Sequence, residues 1–564
     1  MAYDSTNLSN ALKRQIGQHF VLGFHGHDVS PDIETLIRDY HLGNVILMKR
    51  NVFNAEQVHT LVKKLQMIAN DSGHEQPLMI GTDQENGLVS AYSLAGDANA
   101  AGTQLPGAMA LAATGSTKLA EEIYGASAKE LRLVGVNWTY APIADVNSDP
   151  RNPVIGVRSF GDDPETVSQF VLAATRATTN AGVAPSLKHF PGHGDTHIDS
   201  HLALPVIMKD LKSLRETELV SFASASQSPS IMTGHMALPL LTGTDEPASL
   251  SRVATYGLVR EQLNYDGVVV TDCLEMSAVA ARKGGVPRGA VDALRAGADI
   301  VMICHTYAWH VSAIEATYAA VAAGEIDLKE LLESGKRIAA LKSKFAGTWE
   351  EVLDRPFPLD DWVALKASHL KLSEHAYAAS TALLQDPAGL LPIRNPKTAL
   401  LLTPIPESVN LAIDDADGVL RTEDGRLRNT AGPSYLAMAA AVRARCPGAQ
   451  HIVCSPGIAV DEESVRSAEV VMFVTRNADK AGWQLEHLRS VARLRGGMQN
   501  RIIVVQSCTP YDLLGLEKGD ELLGATVLAT FEFTESALTT AVAVLFGERQ
   551  AVGTVPVCSG KVIP

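Results

Sequence analysis

Short apolar runs recur along the first part of the chain, each followed by a stretch with helical spacing. The runs cover residues 20–24, 43–48, 77–83, 137–142, 184–190, 230–235, 267–272 and 299–304. Nearly continuous apolar runs are typical of parallel strands that are covered on both faces. Residues 55–71, in contrast, carry apolar side chains three and four positions apart, which predicts a helix with one buried face. Eight strands alternating with helices predict an α/β fold with a TIM-like (β/α)8 barrel over residues 1–345.

An open, doubly wound parallel sheet is the alternative arrangement for these strands. Its first strand–helix turn should carry a GxGxxG motif, and no such turn follows a strand in this sequence. Residues 346–372 contain two prolines among acidic residues and are predicted to be a linker. Five further apolar runs, at 398–404, 451–455, 469–475, 501–507 and 525–531, predict a second, smaller α/β domain over residues 373–564.

Composition and charge narrow the class of protein. Of 564 residues, 46% are hydrophobic, so the chain has enough apolar residues to form a packed core. The 48 basic and 63 acidic residues give a net charge of −15. This argues against a nucleic-acid partner, because affinity for phosphate comes largely from cationic side chains. It also argues, more weakly, against an anionic membrane surface.

The six cysteines form no CxxC pair, so a zinc knuckle or a thioredoxin-like motif is not supported. The N-terminal residues lack the apolar segment of a signal peptide. No run of 18 apolar residues exists, so no membrane span is expected. From these features we expect a cytoplasmic protein.

Four polar residues lie at or near the carboxyl ends of predicted strands: Asp83, His189, His235 and Asp272. Active sites of (β/α)8 barrels lie at that end. A carboxylate at Asp272 is suited to be a nucleophile, a general base or a metal ligand. Asp83 and its neighbour Glu85 are both suited to accept hydrogen bonds from sugar hydroxyls, and the sequence does not rank them.

The segment KHFPGHGDTHIDSH (188–201) is the densest group of polar residues in the chain. Its four histidines are four residues apart, as in helical zinc sites. Pro191, Gly192 and Gly194 favour a loop instead, which removes the geometric support for zinc. Within the segment, Asp199 can orient His201 for proton transfer. A serine hydrolase is disfavoured because no GxSxG motif occurs.

Several segments together resemble glycoside hydrolase family 3, in its β-N-acetylglucosaminidase branch. They are GTDQENG (81–87), LPGAMALAAT (105–114), NWTYAPIADVN (137–147), NPVIGVRSFGDDP (152–164), KHFPGHGDTHIDSH (188–201) and GVVVTDCLEM (267–276). They occur in the order of the family and span most of the predicted barrel. The C-terminal part resembles the α/β sandwich of the same family more weakly.

The resemblance implies a role for seven residues. Asp272 would be the nucleophile that forms a covalent glycosyl-enzyme, and His201, partnered by Asp199, would be the acid/base. Sugar hydroxyls would be bound by Asp83, Arg158, Lys188 and His189. The chemistry requires neither a metal nor a cofactor.

The sequence departs from the family pattern in two places. Ala91 and Leu88 stand where the family usually has arginines, so an expected cationic contact to the sugar is missing. Cys273 stands where bacterial relatives often have a second aspartate. A thiol beside Asp272 suggests the hypothesis that the protein is sensitive to thiol reagents.

The resemblance implies a retaining exo-β-N-acetylglucosaminidase that acts on oligosaccharides. The acidic composition favours chitooligosaccharides over anionic, peptide-bearing cell-wall fragments. Two alternatives stay open. One is a phosphorylase of the same family, because a neutral histidine would repel phosphate less than a glutamate does. The other is a catalytically silent sugar-binding protein, which only the altered 83–92 segment supports.

Overall fold

A computed structural model of the chain describes residues 8–93, 101–196, 198, 203–405 and 432–558. The contacts between residues divide the chain into two compact units that are not consecutive in sequence. The first unit consists of Met1–Leu105, Ala120–Asn152 and Pro164–Leu370. The second consists of Pro106–Leu119, Pro153–Asp163 and Lys371–Pro564.

A closed barrel of eight parallel strands forms the centre of the first unit. The strands of this unit are β1 (Phe20–Leu22), β2 (Asn44–Leu47), β3 (Met79–Thr82), β4 (Gln84–Asn86), β5 (Val89–Ser90), β6 (Trp138–Thr139), β7 (Ala184–Phe190), β8 (Ser230–Thr233), β9 (Val268–Cys273) and β10 (Ile300–Ile303). Strands β4 and β5 form a separate hairpin between the third and fourth strands of the barrel. Around the barrel the order is β1-β10-β9-β8-β7-β6-β3-β2. Each of the eight predicted runs supplies one barrel strand, so the predicted barrel is confirmed.

Side chains from alternate positions of these strands fill the barrel, as the two-residue period of a strand requires. Trp138, Met232, Val270 and Met302 belong to one buried cluster. The indole nitrogen of Trp138 donates a hydrogen bond to Oγ of Ser230, 2.9 Å away, which satisfies the one polar atom of a fully buried ring. The barrel is therefore a packed core, and its chemistry lies at its ends.

Helices alternate with the strands along the described chain. In chain order they are α1 (Asn10–Gly17), α2 (Pro31–Asp39), α3 (Ala55–Asp71), α4 (Ala108–Ala113), α5 (Thr117–Leu133), α6 (Pro164–Asn180), α7 (Leu211–Glu216), α8 (Glu218–Ser224), α9 (Pro239–Thr242), α10 (Ser277–Ala280), α11 (Gly285–Ala296), α12 (Tyr307–Ala322), α13 (Leu328–Phe345), α14 (Trp349–Asp354), α15 (Leu359–Ser380), α16 (Gly432–Arg445), α17 (Glu462–Ser467), α18 (Trp483–Arg495) and α19 (Glu535–Leu545). The helix predicted over 55–71 is α3. None of the described helices combines the length and apolar character needed to cross a membrane.

A six-stranded sheet forms the centre of the second unit. Its strands are β11 (Ala382–Gln385), β12 (Ala399–Pro404), β13 (Ala449–Cys454), β14 (Val470–Thr475), β15 (Ile502–Gln506) and β16 (Thr526–Ala529), in the order β11-β16-β15-β14-β12-β13. Only β11 is antiparallel to its neighbour. Alternate residues of β14 pack into two different buried clusters, Met472 in one and Phe473 in the other. The sheet is therefore covered on both faces, as its nearly continuous apolar runs predict.

Two segments from the N-terminal half of the sequence belong to this second unit. All six residues of α4 are buried. The backbone N–H of Gly107, just before α4, donates to the Glu532 carboxylate at 2.8 Å. Tyr377 donates to the same carboxylate at 2.6 Å, and burial raises the pKa of Glu532. Glu532 thus joins parts of the second unit that lie far apart in sequence.

The segment predicted as a linker, 346–372, is mostly helical. Thr348 and Glu351 form a capping box at the start of α14, and Pro356 and Pro358 fall between α14 and α15. The two prolines therefore separate two helices, a place where the missing N–H is tolerated. The predicted boundaries 1–345, 346–372 and 373–564 follow the sequence order, and they do not include the two segments, 106–119 and 153–163, that belong to the second unit.

Candidate active site

Polar side chains gather at the carboxyl end of the barrel. Asp83 directly follows β3, Lys188 and His189 lie near the end of β7, and Asp272 is the second-to-last residue of β9. His235 follows β8 by two residues. Because the eight strands are parallel, these residues share one rim, the rim where barrel active sites are found.

Lys188 lies between two carboxylates in this rim. Its Nζ is 2.6 Å from Oδ1 of Asp83 and 2.7 Å from Oε1 of Glu85. The side chains of Lys188 and Glu85 are only 3% and 5% exposed, whereas that of Asp83 is 33% exposed. Asp83 is thus the more accessible carboxylate, and Glu85, which the sequence does not rank against it, binds the same cation.

The β4–β5 hairpin holds Glu85 in this position. Asn86 and Gly87 both have positive φ, 71° and 59°, a conformation that Asn and Gly adopt more readily than other residues. The turn is closed by pairing of Asn86 with Val89. The Asn-Gly dipeptide is the sequence signal from which this hairpin could have been predicted.

His189 is oriented by a buried carboxylate that sequence reasoning did not identify. Oδ2 of Asp145 is 2.8 Å from Nδ1 of His189, and Oδ1 accepts the backbone N–H groups of His189 and His193 at 3.1 and 2.7 Å. Burial of Asp145 raises its pKa, but His189 and His193 outweigh burial, and the net pKa is lowered. Asp145 lies three residues beyond the predicted strand at 137–142. This position near the carboxyl end of a strand is the feature of the sequence from which Asp145 could have been identified.

The residues that follow β7 form a loop. Residues 191–196 are not helical, as the prolines and glycines predict. The amide nitrogen of Asn152 donates to the carbonyl oxygens of His193 and Gly194 at 2.8 and 3.2 Å, and Lys209 is 3.2 Å from Asp195. The predicted acid/base pair, Asp199 and His201, lies outside the described residues.

Asp272 is held by its own strand end. The backbone N–H of Cys273 donates to Oδ1 of Asp272 at 2.7 Å. The carbonyl oxygen of Cys273 is 3.0 Å from Nε2 of the fully buried His235, whose Nδ1 is 2.7 Å from Oγ of Ser249. His235 therefore fixes the backbone next to Asp272, and the Asp272 side chain is left partly exposed.

Glu275 organises the neighbouring part of the rim. Its carboxylate accepts the backbone N–H groups of Cys304, His305 and Thr306 at 2.8, 2.5 and 3.0 Å. Cys304 is buried, and a hydrogen bond with Cys273, together with burial, raises the pKa of the Cys304 thiol well above its usual range. The surroundings of Cys304 thus favour the thiol over the thiolate as long as no cation is bound.

Arg158 belongs to the second unit. It ends a short 3-10 turn, Gly156–Arg158, and its Nη1 donates to the carbonyl oxygen of Val154 at 3.2 Å. A Cβ added to Gly156 would lie 3.2 Å from Cγ2 of Thr509, so the turn packs closely against residues that follow β15. Ala91, which stands where the family usually has an arginine, is a buried residue of the first unit.

Comparison with known proteins identifies the family to which the chain belongs. Residues 11–341 match the model of the glycosyl hydrolase family 3 N terminal domain. Beta-hexosaminidase A of Pseudoalteromonas piscicida is 34% identical over 65% of this chain and 63% of its own length. Among solved structures, a fungal multi-domain GH3 beta-N-acetylglucosaminidase with a GCN5-related glucosamine N-acetyltransferase region is 34% identical, with a TM-score of 0.87 over 98% of this chain. This chain covers 61% of that protein.

A second solved structure is similar over its whole length. The glycoside hydrolase family 3 beta-N-acetylglucosaminidase from Paenibacillus sp. str. FPU-7 is 31% identical, with a TM-score of 0.81 over 99% of this chain and 100% of that one. The closed barrel, the second α/β unit and the family match lead to the same conclusion: the chain belongs to glycosyl hydrolase family 3.

Proposed function

We propose that the protein is a retaining exo-β-N-acetylglucosaminidase that removes terminal β-linked N-acetylglucosamine from oligosaccharides. The observation that carries the proposal is the placement of Asp272, a partly exposed carboxylate at the carboxyl end of a barrel strand. The same rim carries the Lys188 charge cluster and the oriented His189. The relatives named above, which are beta-hexosaminidases and beta-N-acetylglucosaminidases by name, support it.

In the proposed mechanism, the carboxylate of Asp272 attacks the anomeric carbon as the leaving group departs. His201, oriented by Asp199, gives its proton to the leaving oxygen and then takes a proton from the water that hydrolyses the glycosyl-enzyme. Asp272 also stabilises the positive charge that develops on the sugar ring. A hydrogen bond from the N–H of Cys273 helps to orient this carboxylate.

The remaining rim residues bind the sugar in this proposal. Asp83, Lys188 and His189 contact hydroxyls, and the Lys188–Glu85 pair fixes the orientation of Lys188. Arg158 is assigned the same role by family resemblance. We favour chitooligosaccharides as substrates because the net charge of −15 disfavours anionic, peptide-bearing fragments.

The first test compares release of nitrophenol from the β-N-acetylglucosaminide and from the β-glucoside in phosphate-free buffer. We expect a strong preference for the acetamido sugar. Equal turnover of both would contradict the assigned substrate. Turnover that requires phosphate, with accumulation of sugar 1-phosphate, would favour the phosphorylase, and no turnover in either buffer would favour a silent binding protein.

The nucleophile is tested by Asp272→Asn. We expect loss of turnover and no covalent adduct by mass spectrometry with a slowly hydrolysed fluorosugar, whereas the unaltered protein should be labelled on Asp272. Asp266→Asn is the matched control, because Asp266 is an exposed carboxylate before the start of the same strand. If both variants keep full activity, the nucleophile is another residue.

The acid/base is tested by His201→Ala. General acid catalysis is worth roughly 10²–10⁴-fold, and we expect a loss of that size for poor leaving groups. The loss should shrink for substrates with good leaving groups, which need little protonation. Equal losses across the leaving-group series would argue against the acid role of His201.

A further inference from the structure

Two thiols and an imidazole meet beside Asp272. The Sγ atoms of Cys273 and Cys304 and a ring nitrogen of His305 all lie within 4.8 Å of one another. Cys273 ends β9, and Cys304 and His305 directly follow the neighbouring strand β10. Within the part of the chain that the structure describes, no other three such side chains are grouped this closely.

We infer that Cys273, Cys304 and His305 form a binding site for a thiophilic divalent cation of the Zn²⁺ type. Thiolate and imidazole ligands select Zn²⁺ over Mg²⁺ and Ca²⁺, which prefer oxygen. Two sulfurs and one nitrogen leave the fourth tetrahedral position for water or another group.

The distances fit such an ion after a small adjustment. With Zn–S bonds of about 2.3 Å and Zn–N bonds of about 2.0–2.1 Å, ligand atoms in a tetrahedral site lie roughly 3.6–3.8 Å apart. The three atoms of this cluster are at most about an ångström farther apart than that. Rotation of the Cys273 side chain, which is 9% exposed, and of the exposed His305 can supply the difference.

Glu275 holds two of the ligands in place. Its carboxylate accepts the backbone N–H groups of both Cys304 and His305, and its Oε2 is 3.7 Å from Sγ of Cys273. It thus resembles the outer-shell carboxylates that orient metal ligands in proteins. Glu275 also places negative charge beside the cluster, which favours a cation, while the guanidinium of Arg50, 2.6 Å from the carbonyl oxygen of Cys304, opposes it.

A bound ion would inhibit the proposed reaction, and this consequence rests on the proposed function. The ion would lie on the side chain of Cys273, whose backbone N–H already contacts the Asp272 carboxylate. A double positive charge there stabilises the carboxylate as an anion and makes it a poorer nucleophile. Zn²⁺ should therefore inhibit reversibly, and a chelator should restore turnover.

The test of the site measures metal binding and does not depend on turnover. Co²⁺ is added to the full chain, which has been freed of metal with a chelator and reduced with a phosphine. We expect one equivalent to give thiolate-to-cobalt charge-transfer bands and the intense visible bands of a tetrahedral ion, and Zn²⁺ to displace it. Mg²⁺ should leave the spectrum unchanged.

Three variants locate the site. Cys304→Ser should abolish the charge-transfer bands or weaken Co²⁺ binding. The loss of affinity should exceed the roughly 10–100-fold loss that follows removal of an outer-shell partner of a metal ligand. His305→Ala, a change at an exposed side chain, should weaken binding by at least about tenfold. Cys508→Ser, a matched change at a buried thiol of the second unit, should bind Co²⁺ like the unaltered chain.

Three results would overturn the inference. They are an octahedral spectrum without charge-transfer bands, Co²⁺ binding that persists unchanged in His305→Ala, and a disulfide between Cys273 and Cys304 that persists after treatment with the phosphine. Because Cys304 is buried, its variant is checked for a cooperative thermal transition, and His305→Ala decides if that variant does not fold. Binding without any turnover would count against the proposed function and leave the metal site supported.

Discussion

At the scale of single residues, the rim of the barrel concentrates charge where water is scarce. Lys188 is nearly buried and contacts two carboxylates, and Asp145 is fully buried beside His189. A buried ion pair contributes little net stability when compared with apolar residues, but removing one partner leaves the other charge unpaired. These residues are therefore sensitive positions for stability as well as for substrate binding.

The charge cluster gives a stability prediction. Lys188→Met should lower the free energy of unfolding by about 3–5 kcal/mol, because Glu85 would keep a buried charge without this cation. Lys64→Met is the control: Lys64 pairs with Asp28 at the surface, where both side chains are about half exposed or more, and should cost about 0–1 kcal/mol. Urea unfolding of both variants measures the difference, and equal losses would contradict the burial argument.

Lys342 gives a prediction of pH dependence. Burial lowers its pKa to about 7, and its Nζ donates to Oε1 of Gln18 at 2.6 Å. An unfolded lysine has a pKa near 10.4, so between about pH 7 and pH 10 the unfolded chain holds a proton that the folded chain has released. The free energy of unfolding should therefore rise with pH across this window.

The pH effect is isolated by comparison of two variants of one helix. In Lys342→Met the rise between about pH 7 and pH 10 should be smaller than in the unaltered chain. Lys336→Met, on the same helix α13 but 71% exposed, should keep it. A rise of the same size in Lys342→Met would mean that Lys342 keeps an ordinary pKa in the fold.

At the scale of elements, close backbone contact sets the path of the loop that follows β7. A Cβ added to Gly194 would lie 1.7 Å from the carbonyl oxygen of Val146, so the two backbone segments leave no room for a side chain. This contact lies five residues before Asp199. The loop is therefore positioned by packing of backbone on backbone as well as by its hydrogen bonds.

Two glycine-to-alanine changes test this. Gly194→Ala should displace the loop, cost about 1–3 kcal/mol of stability and lower turnover. Gly125→Ala, inside helix α5, would place its Cβ 3.8 Å from the nearest heavy atom, and should stabilise by roughly 0.5–1 kcal/mol. Unchanged stability and activity in Gly194→Ala would show that the loop adapts without loss.

The elements also show which parts of the fold the sequence could predict. The barrel strands could be predicted because they are buried on both sides, and burial on both sides requires nearly continuous runs of apolar residues. Strand β11 was not predicted, because Leu383 is 41% exposed and the run is mixed. The helices of 346–372 were missed because two prolines suggested a linker, although they fall only between α14 and α15.

Site residues that lie at the carboxyl ends of barrel strands could be predicted from the sequence. Asp83, His189, His235 and Asp272 were identified from that position, and Lys188 was identified from the family resemblance. Asp145 was missed because it lies beyond its strand, and the pairing of Glu275 with the backbone of residues 304–306 was missed because it joins loops after different strands. Such contacts depend on tertiary packing, which periodicity does not encode.

At the scale of the whole molecule, the two units are interleaved in sequence. Helix α4 and the Gly156–Arg158 turn are encoded within the barrel sequence but belong to the second unit. The family match ends at residue 341, and the first unit ends at Leu370. A chain cut at either boundary would therefore keep the whole first unit or most of it, together with two segments of the second unit, 106–119 and 153–163.

This interleaving gives a prediction for truncated chains. A chain that ends after Leu370 should expose the apolar residues of α4, since these lose their partners in the second unit. We expect it to bind a hydrophobic dye strongly and to aggregate. Removal of residues 106–119 together with the C-terminal unit should improve solubility. A monomeric, cooperatively melting 1–370 fragment would contradict the prediction.

The contact of Gly107 with Glu532 also affects how the protein is made. The ribosome produces the chain at roughly 5–20 residues per second, so α4 emerges on the order of tens of seconds before the carboxylate that binds the N–H next to it. During that interval the barrel strands can pair, while α4 and the residue before it lack their hydrogen bonds with Glu532 and Thr554. We therefore expect a stage of synthesis at which the apolar side chains of this short helix lack part of their cover.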